Sequence, residues 1–390
     1  MDLRTGTSAH ANAREAVAEA ARTALAGCRA PALALVFSTF DYAPEEVATA
    51  ANEQLGGLPW AGCVTPAILH GRNIVRRGIA IGVIDSDRIR VRIGAGGLLS
   101  ASARAAGRQA ARDALTDMPL PPADRSRAMI LFTDVASGDG GEAVHGAVSV
   151  AGAGIAWSGG GVGNGEGGLR GALFAKGRAL HDHVVAIVID GHSRVGAGVQ
   201  HGWQPTGAPA MVTAVAGSIV QRLEHGPAIA IYQAAARERG ETLDAEHFTA
   251  FATTHPLGIP QADGEYLIRD PLSVDVEGAI QLVAGVPDGA LVRVMEGTAA
   301  MLAEAARVAA STARADAGGA LGGALVFDCV SRFLMLGEGL GDELAACQEA
   351  LGDGVPLLGC LTSGEVGAFG ARMPQFHNKT MVVLALPARP

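Results

Sequence analysis

The chain has 390 residues, 49% of them apolar, and a formal net charge of −9 at pH 7. This length exceeds what one hydrophobic core usually supports, so we expect two or three domains, and the apolar content excludes a disordered chain. The acidic balance, with only two lysines, Lys176 and Lys379, is not that of a nucleic-acid-binding protein.

The sequence predicts neither membrane insertion nor secretion. The longest apolar runs, such as residues 183–189, have the length of a strand and fall short of the roughly 20 residues that a membrane helix needs. The N-terminal stretch carries charges at Arg14, Glu15, Glu19 and Arg22, where a signal sequence would be apolar. We therefore expect a cytoplasmic protein.

No metal or cofactor is predicted. The number of cysteines is odd, their spacing is wide and no C-x-x-C occurs, so a disulfide framework or a structural zinc site is not expected. His181 and His183 would point to the same side of a strand and could bind a metal, but the spacing places no third ligand beside them.

The predicted elements fall into three groups along the chain. Residues 1–30 are expected to form a helical N-terminal extension. The first group has a strand at 32–37, a helix from about Glu45 to Leu55, the run 60–65, and strands at 78–84 and 89–93. After a loop at Pro119–Pro122, the second group has a strand at 128–132, a helix near 142–150, the run 155–163, and strands near 171–175, 183–189 and 194–200.

A distinct region separates the second group from the third. It is predicted to hold a helix near 217–224, a strand at 228–232, a polar helix to about 240, a hairpin-like run at 266–294, and an Ala-rich helix at about 298–312. The third group has a strand at 324–327, a helix near 340–351, the run 357–362 and a final strand at 379–386. We expect a boundary near 225–230, which divides an N-terminal domain, residues 31–226, from a C-terminal domain, residues 227–388.

Single helices separated by three or four strands indicate mixed sheets with antiparallel hairpins, not one continuous parallel sheet. The predicted fold class is therefore α/β, with mixed sheets flanked by helices and built from repeated β-α-β-β-β units in two domains.

A short phrase occurs at the same place in the first and third groups. It reads Gly62-Cys63-Val64-Thr65 and then Gly359-Cys360-Leu361-Thr362, which Ser363-Gly364-Glu365 follows. Glycine there would let the backbone approach a ligand, the hydroxyls could donate or accept, and Glu365 could hold an ammonium group. Alternatively, the phrase is a repeated strand end whose cysteines are small buried hydrophobes. We interpret Trp157-Ser-Gly-Gly-Gly161 as a diverged third copy.

Other residues have two interpretations each. Cys360 could act as a nucleophile if His377, 17 residues later, serves as its base. Arg269 and Arg332 could bind a carboxylate through two parallel hydrogen bonds, or form structural salt bridges. His377 and Asn378 could line a site or form a turn.

A glycine-rich stretch at 152–171 contains one G-x-G-x-x-G, at Gly163, Gly165 and Gly168. A dinucleotide site would need a helix directly after this motif, but residues 169–174 predict a strand. A loop over a pocket or a plain hairpin connection is the preferred interpretation.

The chain resembles the FIST family over nearly its full length from about residue 30. The phrases that match the N-terminal FIST domain are Gly62–Thr65, Trp157–Gly161, and His201–Gly207 leading to Val212-Thr213. Those that match the C-terminal domain are Pro256–Gly258, Ile268–Pro271, Asp328–Arg332, Gly359-Cys360 with Gly364-Glu365, and Phe376–Thr380. The first copy of the repeated phrase departs from the family pattern, because Pro66-Ala67 stands where a Gly-Glu pair is expected.

The resemblance implies a sensory module in signal transduction that binds small molecules such as amino acids, acting here through a separate signalling protein. We expect a polar ligand site near the two repeated strand ends. Arg269 or Arg332 would hold a carboxylate, Glu365 with Thr362 and Ser363 would hold an amine, and Cys63, Thr65, Cys360, Gly364, His377 and Asn378 would line the site. The alternatives are a cysteine-dependent enzyme that acts on a small metabolite through Cys360, and a purely structural interaction module.

Overall fold

A computed structural model describes residues 1–118, 126–262 and 264–389. Most of this structure is one unit repeated three times. Each unit runs strand, helix, strand, helix, strand, hairpin, strand. The α/β fold class and its repeated units are therefore confirmed, with an additional strand and helix at the start of each unit. The loop predicted at Pro119–Pro122 lies outside the described residues.

The first unit comprises β1 (Asp2–Ser8), α1 (Ala13–Leu25), β2 (Pro31–Thr39), α2 (Pro44–Leu55), β3 (Trp60–Thr65), β4 (Ile68–His70), β5 (Asn73–Val75) and β6 (Ile79–Asp85). The second comprises β7 (Ile89–Gly97), α3 (Ala103–Ala114), β8 (Ser126–Asp134), α4 (Gly140–Ala151), β9 (Ala156–Val162), β10 (Leu173–Ala175), β11 (Arg178–Leu180) and β12 (His183–Gly191).

The third unit contains an insertion after its first strand, β13 (Gly196–Gln200). The insertion comprises β14 (Gln204–Ala216), β15 (Ile219–Leu223), β16 (Gly226–Pro227), α5 (Ala230–Glu238), α6 (Phe248–Thr254), β17 (Leu257–Pro260), β18 (Tyr266–Arg269), β19 (Pro271–Val274), β20 (Ile280–Leu282) and β21 (Leu291–Glu296). The unit resumes with α7 (Ala299–Ala317), β22 (Leu321–Cys329), α8 (Val330–Leu336), α9 (Leu340–Leu351), β23 (Leu357–Thr362), β24 (Glu365–Gly367), β25 (Gln375–His377) and β26 (Met381–Pro387).

The three units exchange their hairpins in a cycle. The strand orders are β1-β6-β2-β3-β10-β11, β7-β12-β8-β9-β24-β25 and β13-β26-β22-β23-β4-β5, and the insertion forms a further sheet in the order β18-β17-β21-β14-β15-β20-β19. Each hairpin thus covers the open edge of a parallel pair in another unit, which would otherwise expose unpaired backbone groups. Because β4 and β5 belong to the sheet of the third unit, strands from both halves of the chain share one sheet.

The three main sheets share one central core. Phe37, Phe132 and Phe327 occupy equivalent positions, each on the first strand of its parallel pair. The rings of Phe37 and Phe132 lie 6.3 Å apart, and those of Phe132 and Phe327 lie 5.7 Å apart, both edge to face. The three units therefore converge on one cluster of aromatic rings, an arrangement that gains from edge-to-face geometry as well as burial.

The Ala-rich helices pack unusually close to the first strand of each unit. A Cβ placed at Gly6 would lie 2.2 Å from Ala20 O, one at Gly96 would lie 1.9 Å from Ala106 O, and one at Gly198 would lie 1.9 Å from Ala309 O. Only glycine on the strand permits this approach. The same contact in α1, α3 and α7 identifies α7 as the counterpart of α1 and α3, although the insertion precedes it.

Three of the predicted elements were wrong in type or incomplete. Residues 217–224 form the turn and second strand of the β14–β15 hairpin, because Gly217 takes a left-handed φ of +60°. Residues 228–232 lead into α5, which buries Tyr232, Ala235 and Ala236 at helical spacing. The N-terminal extension, residues 1–30, holds β1 as well as a helix, and β1 pairs with β6.

The division of the chain at residues 226 and 227 stays a prediction. None of the helices in the described ranges is long and apolar enough to cross a bilayer.

Candidate functional site

The glycine of the repeated phrase is required by backbone packing. A Cβ at Gly62 would lie 1.8 Å from Val36 O, and one at Gly359 would lie 1.9 Å from Val326 O. Gly159 of the second unit is equivalent, since its Cβ would lie 2.1 Å from Leu131 O. The phrase therefore marks the point where the two parallel strands of each unit approach most closely.

The two cysteines of the phrase lie side by side in the central core. Both are fully buried, and their Sγ atoms are 4.0 Å apart. Burial, reinforced by the neighbouring Cys63 thiol, raises the pKa of Cys360 well above its ordinary value. A nucleophilic cysteine needs access and a lowered pKa, so Cys360 has neither property. The imidazole of His377 donates to Gly367 O at 3.0 Å and does not bond to Cys360.

The two threonines that end the phrase hold neighbouring backbone. The hydroxyl of Thr65 lies 2.9 Å from Ala67 O and 2.8 Å from Leu361 O and shares its one hydrogen between them, so the first strand end contacts the second. Thr362 Oγ1 lies 3.2 Å from Asp328 O and 2.8 Å from Glu365 Oε1. The predicted residues Thr65 and Thr362 thus lie close together, because Thr65 contacts the residue that precedes Thr362.

Glu365 is buried completely and accepts a hydrogen bond from Thr380 N at 3.1 Å. Burial raises its pKa well above the ordinary value. A neutral carboxyl also fits the geometry at Thr362, whose single hydroxyl hydrogen faces two oxygens, because Glu365 can then donate to Thr362 while Thr362 donates to Asp328 O. We conclude that Glu365 is held in its neutral form.

Ser363 and Gly364 form the tight turn between β23 and β24. Gly364 takes a φ of +99°, and a Cβ there would lie 2.3 Å from the ring of Phe376. Ser363 is half-buried, and its backbone N donates to Gly161 O at 2.8 Å. The turn therefore seats the exchanged hairpin on the second unit.

Arg332 is fully buried and its donors are all engaged. Nε and Nη2 donate to Glu343 Oε2 at 3.0 and 2.7 Å, and Asp328 Oδ1 lies 3.2 Å from Nε. The remaining donors reach carbonyl oxygens of three distant elements, at His201, Lys379 and Leu302. Such a guanidinium links several parts of the structure by hydrogen bonds and has no donor left for a ligand.

Arg269 differs, although it is also only 8% exposed. Nε donates to Gly285 O at 2.8 Å, and Nη1 donates to Ile268 O and Phe376 O, both at 3.0 Å. Its hydrogen-bond partners within the described ranges are all neutral carbonyls, and Nη2 bonds to none of them. Burial lowers the pKa of Arg269 to about 10, partly offset by the charge of Asp139.

A polar network joins the insertion to the start of β26. Lys379 Nζ forms an ion pair with Asp270 Oδ1 at 3.0 Å and donates to Thr253 O at 3.0 Å. Ser331 Oγ donates to Asp270 Oδ2, and Asn378 Oδ1 accepts from Asp270 N at 3.4 Å. The predicted residue Asn378 therefore lies against the residue that follows Arg269.

Two buried histidines flank the half-buried ring of Phe369. The centroid of Phe369 lies 5.2 Å from that of His377 and 5.8 Å from that of His201, both edge to face. Among the described residues, His377 Nδ1 is buried without a hydrogen-bond partner, and His201 Nε2 lies 3.7 Å from Glu265 Oε2. Sequence reasoning missed His201 and Phe369 as site residues, although the phrase that begins at His201 contributed to the family resemblance.

The remaining candidates do not assemble into a site. Within the described ranges, no group of three His, Cys, Asp or Glu residues could hold a metal ion. His181 and His183 bind backbone oxygens, of Gly171 and of His181 itself. The glycine-rich motif is followed by β10, as predicted, and not by a helix that could bind a pyrophosphate.

Comparison with known proteins gives matches over most of the chain. Residues 32–226 match the FIST N domain, and residues 228–368 match the FIST C domain. An uncharacterized protein of Mycobacterium tuberculosis is 28% identical over 387 residues, which cover 94% of this chain and 95% of that protein. An uncharacterized protein of Mycobacterium bovis is 27% identical over 397 residues, which cover 95% of each.

Among solved structures, that of PurLQS from Thermotoga maritima aligns with 100% of this chain and 73% of that one, at 10% identity and a TM-score of 0.20, which is too low to indicate a shared fold. The two domain matches together cover well over half of the chain. The chain therefore belongs to the FIST family, whose domains are sensory and bind small ligands in signal transduction.

Proposed function

We propose that this protein is a sensor of a small metabolite that carries a carboxylate, with free amino acids as the ligand class. The observation that carries this proposal is the environment of Arg269, a buried guanidinium whose described partners are all neutral carbonyls. Burying a charge is costly unless an opposite charge accompanies it. A bound carboxylate would supply that charge.

The contrast between the two predicted arginines supports this choice. Arg332 is paired with Glu343 inside the protein, whereas Arg269 is not paired with a described carboxylate. Arg binds carboxylates through charge-assisted hydrogen bonds, and Arg269 retains the two N–H groups of Nη2 for such a contact. The proposal therefore keeps Arg269 as the carboxylate-binding residue and leaves out Arg332.

We assign Glu365 and Thr362 to the support of the strand end. An ammonium group is held best by an ionised carboxylate, and burial favours the neutral form of Glu365. Cys63, Thr65 and Cys360, which are fully buried, would support the same strand ends.

The position of Arg269 suggests how binding could be transmitted. Arg269 lies on β18 of the insertion and bonds to Phe376 O on β25, a strand of the exchanged hairpin. A ligand at Arg269 would favour whichever arrangement of insertion and hairpin binds it more tightly, and it would shift the population by that difference in affinity. A separate signalling protein would then detect the arrangement.

The proposal is tested by thermal unfolding of the full chain in the presence of individual amino acids and other small carboxylic acids. A ligand should stabilise the wild type by RT ln(1 + [L]/Kd), about 2.7 kcal/mol at 100 times Kd. Arg269→Gln should lose this stabilisation. Arg293→Gln, which removes another half-buried arginine of the insertion, should keep it. Stabilisation by no carboxylate, or equal stabilisation of Arg269→Gln, would refute the proposal.

A further inference from the structure

We infer that the outer face of α3 carries a binding site for a phosphomonoester group, formed by Arg108 and Arg112. Both arginines are exposed and line one surface cavity of about 540 Å³, together with Gln109, Thr116 and Lys176. The site lies in the second unit, shares no residue with the carboxylate site, and is independent of the proposed function.

The charge of α3 sets it apart from the equivalent helices of the other units. α1 and α7 each carry two arginines and two carboxylates, whereas α3 carries three arginines and one aspartate. Arg104 of α3 is paired with Glu142 at 2.6 Å. Among the described residues, the guanidinium groups of Arg108 and Arg112 have neither an ion pair nor a hydrogen bond. In a chain of net charge −9, this face is a local excess of positive charge.

The packing of α3 against β7 accounts for its aspartate. Asp113 Oδ2 accepts from Ala95 N at 3.0 Å and forms an ion pair with Lys176. The third unit repeats this arrangement with Asp316, which accepts from the first strand of its unit and is paired with Arg194. An aspartate with a cationic partner is therefore a structural feature that the two units share.

The same packing does not account for Arg108 and Arg112. Counted from the two aspartates, their counterparts on α7 are Ser311 and Ala315, so the contact between helix and strand needs no charge at these positions. The helix dipole favours a cation in the last turn, at Arg112, but not at Arg108. Like charges one turn apart also repel each other, and a bound anion would remove that repulsion.

A phosphomonoester fits these two guanidinium groups. It carries a charge of about −1.5 to −2 at pH 7 and three strong acceptor oxygens. Arginine binds such oxygens through charge-assisted hydrogen bonds. The ligand charge matches the two arginines, because Lys176 is already paired with Asp113. One carboxylate would neutralise only one of them, and a nucleic-acid backbone would need a longer row of cations.

The experiment is isothermal titration of the full chain in phosphate-free buffer with three probes: phenyl phosphate, an uncharged glycine-rich peptide with one phosphoserine, and the same peptide with serine. A phosphorylated probe should bind one to one and more weakly as salt rises, and the serine peptide should not bind. The double variant Arg108→Gln, Arg112→Gln should weaken binding at least about tenfold. Arg307→Gln, which removes an exposed arginine of α7, should leave Kd within about twofold.

The two phosphorylated probes also identify the source of the phosphate. Tighter binding of the phosphoserine peptide would identify a phosphorylated protein segment, and equal or tighter binding of phenyl phosphate would identify a small phosphorylated metabolite. The inference fails if neither probe binds below about 10 mM, or if the double variant binds as tightly as wild type.

Thermal unfolding of the double variant provides the folding control. Because Arg108 and Arg112 are exposed and the groups that they would repel are each other, their replacement should not lower the unfolding midpoint. A clearly lower midpoint would show that the two arginines stabilise α3 and would overturn the inference. None of these results bears on the carboxylate sensor, which is tested through Arg269.

Discussion

The repeated glycine offers a direct test of the fold, through the substitution Gly359→Ala. Gly359 lies on β23 opposite Val326 of the parallel strand β22. An added Cβ would lie 1.9 Å from Val326 O and 2.7 Å from Val326 C. Both atoms belong to the backbone, so a change of side-chain rotamer cannot relieve the overlap, and the two strands must move apart.

The expected cost follows from these distances. Overpacking of a core by a single methyl group costs about 1–3 kcal/mol when side chains can adjust. Here the strands themselves must separate, which also weakens their ladder of hydrogen bonds. We therefore expect Gly359→Ala to lower the free energy of unfolding by at least about 3 kcal/mol.

Equilibrium unfolding in urea measures this change, with Gly341→Ala as the matched control. Gly341 lies in α9, where an added Cβ would have no neighbouring atom within 4 Å and where φ is not left-handed. Alanine there should stabilise the protein by up to about 1 kcal/mol, because it restricts the unfolded chain and favours the helix. A Gly359→Ala variant within about 1 kcal/mol of wild type would contradict the close approach of the two strands.

Two further predictions concern buried ionisable side chains. Glu343→Gln should destabilise the protein by about 3 kcal/mol or more, because it removes the main partner of the buried Arg332. Asp328→Asn should cost less, since burial already raises the pKa of Asp328 and favours its neutral form. Equal unfolding midpoints of the two variants in urea would contradict this prediction. Burial lowers the pKa values of His201 and His377 to about 3 and about 4, so as the pH falls these histidines gain a proton in the unfolded chain before they do in the folded protein. Their contribution to stability is therefore complete above about pH 6.5 and is lost as the pH falls through these folded-state pKa values. His377→Leu should therefore reduce the slope of stability against pH in this range by up to about 1.4 kcal/mol per unit, measured as the difference from wild type, and an unchanged slope would show that His377 is not held neutral.

The repeated architecture could be recognised from the sequence alone. Apolar strands followed by a helix and a second strand ending in Gly-Cys-x-Thr indicated a repeated strand–helix–strand unit, and in the structure its two strands pair in parallel at β2–β3 and β22–β23. The diverged copy at Trp157–Gly161 was also interpreted correctly, as β9 beside β8. Local patterns sufficed because the spacing of apolar residues and a required glycine are properties of one segment and its neighbour.

The insertion was harder to predict from the sequence. Residues 228–232 alternate between alanine and isoleucine, a pattern that fits a strand as well as the start of a helix. Only packing against the insertion sheet, where Tyr232 and Ala236 are buried, favours the helix. The exchange of hairpins was equally hidden, because a three-residue strand such as β4 carries no signal for which sheet it joins.

The candidate site shows the same limit most clearly. From the sequence, Arg269 and Arg332 were equivalent candidates for a carboxylate. Tertiary structure separated them, because Arg332 also bonds to carbonyl oxygens that lie 30 and 131 residues away in the sequence, at Leu302 and His201. Whether a guanidinium is satisfied depends on atoms that distant elements bring to it. The sequence shows that these arginines and histidines are present, but only the tertiary structure determines which of their nitrogens have a hydrogen-bond partner.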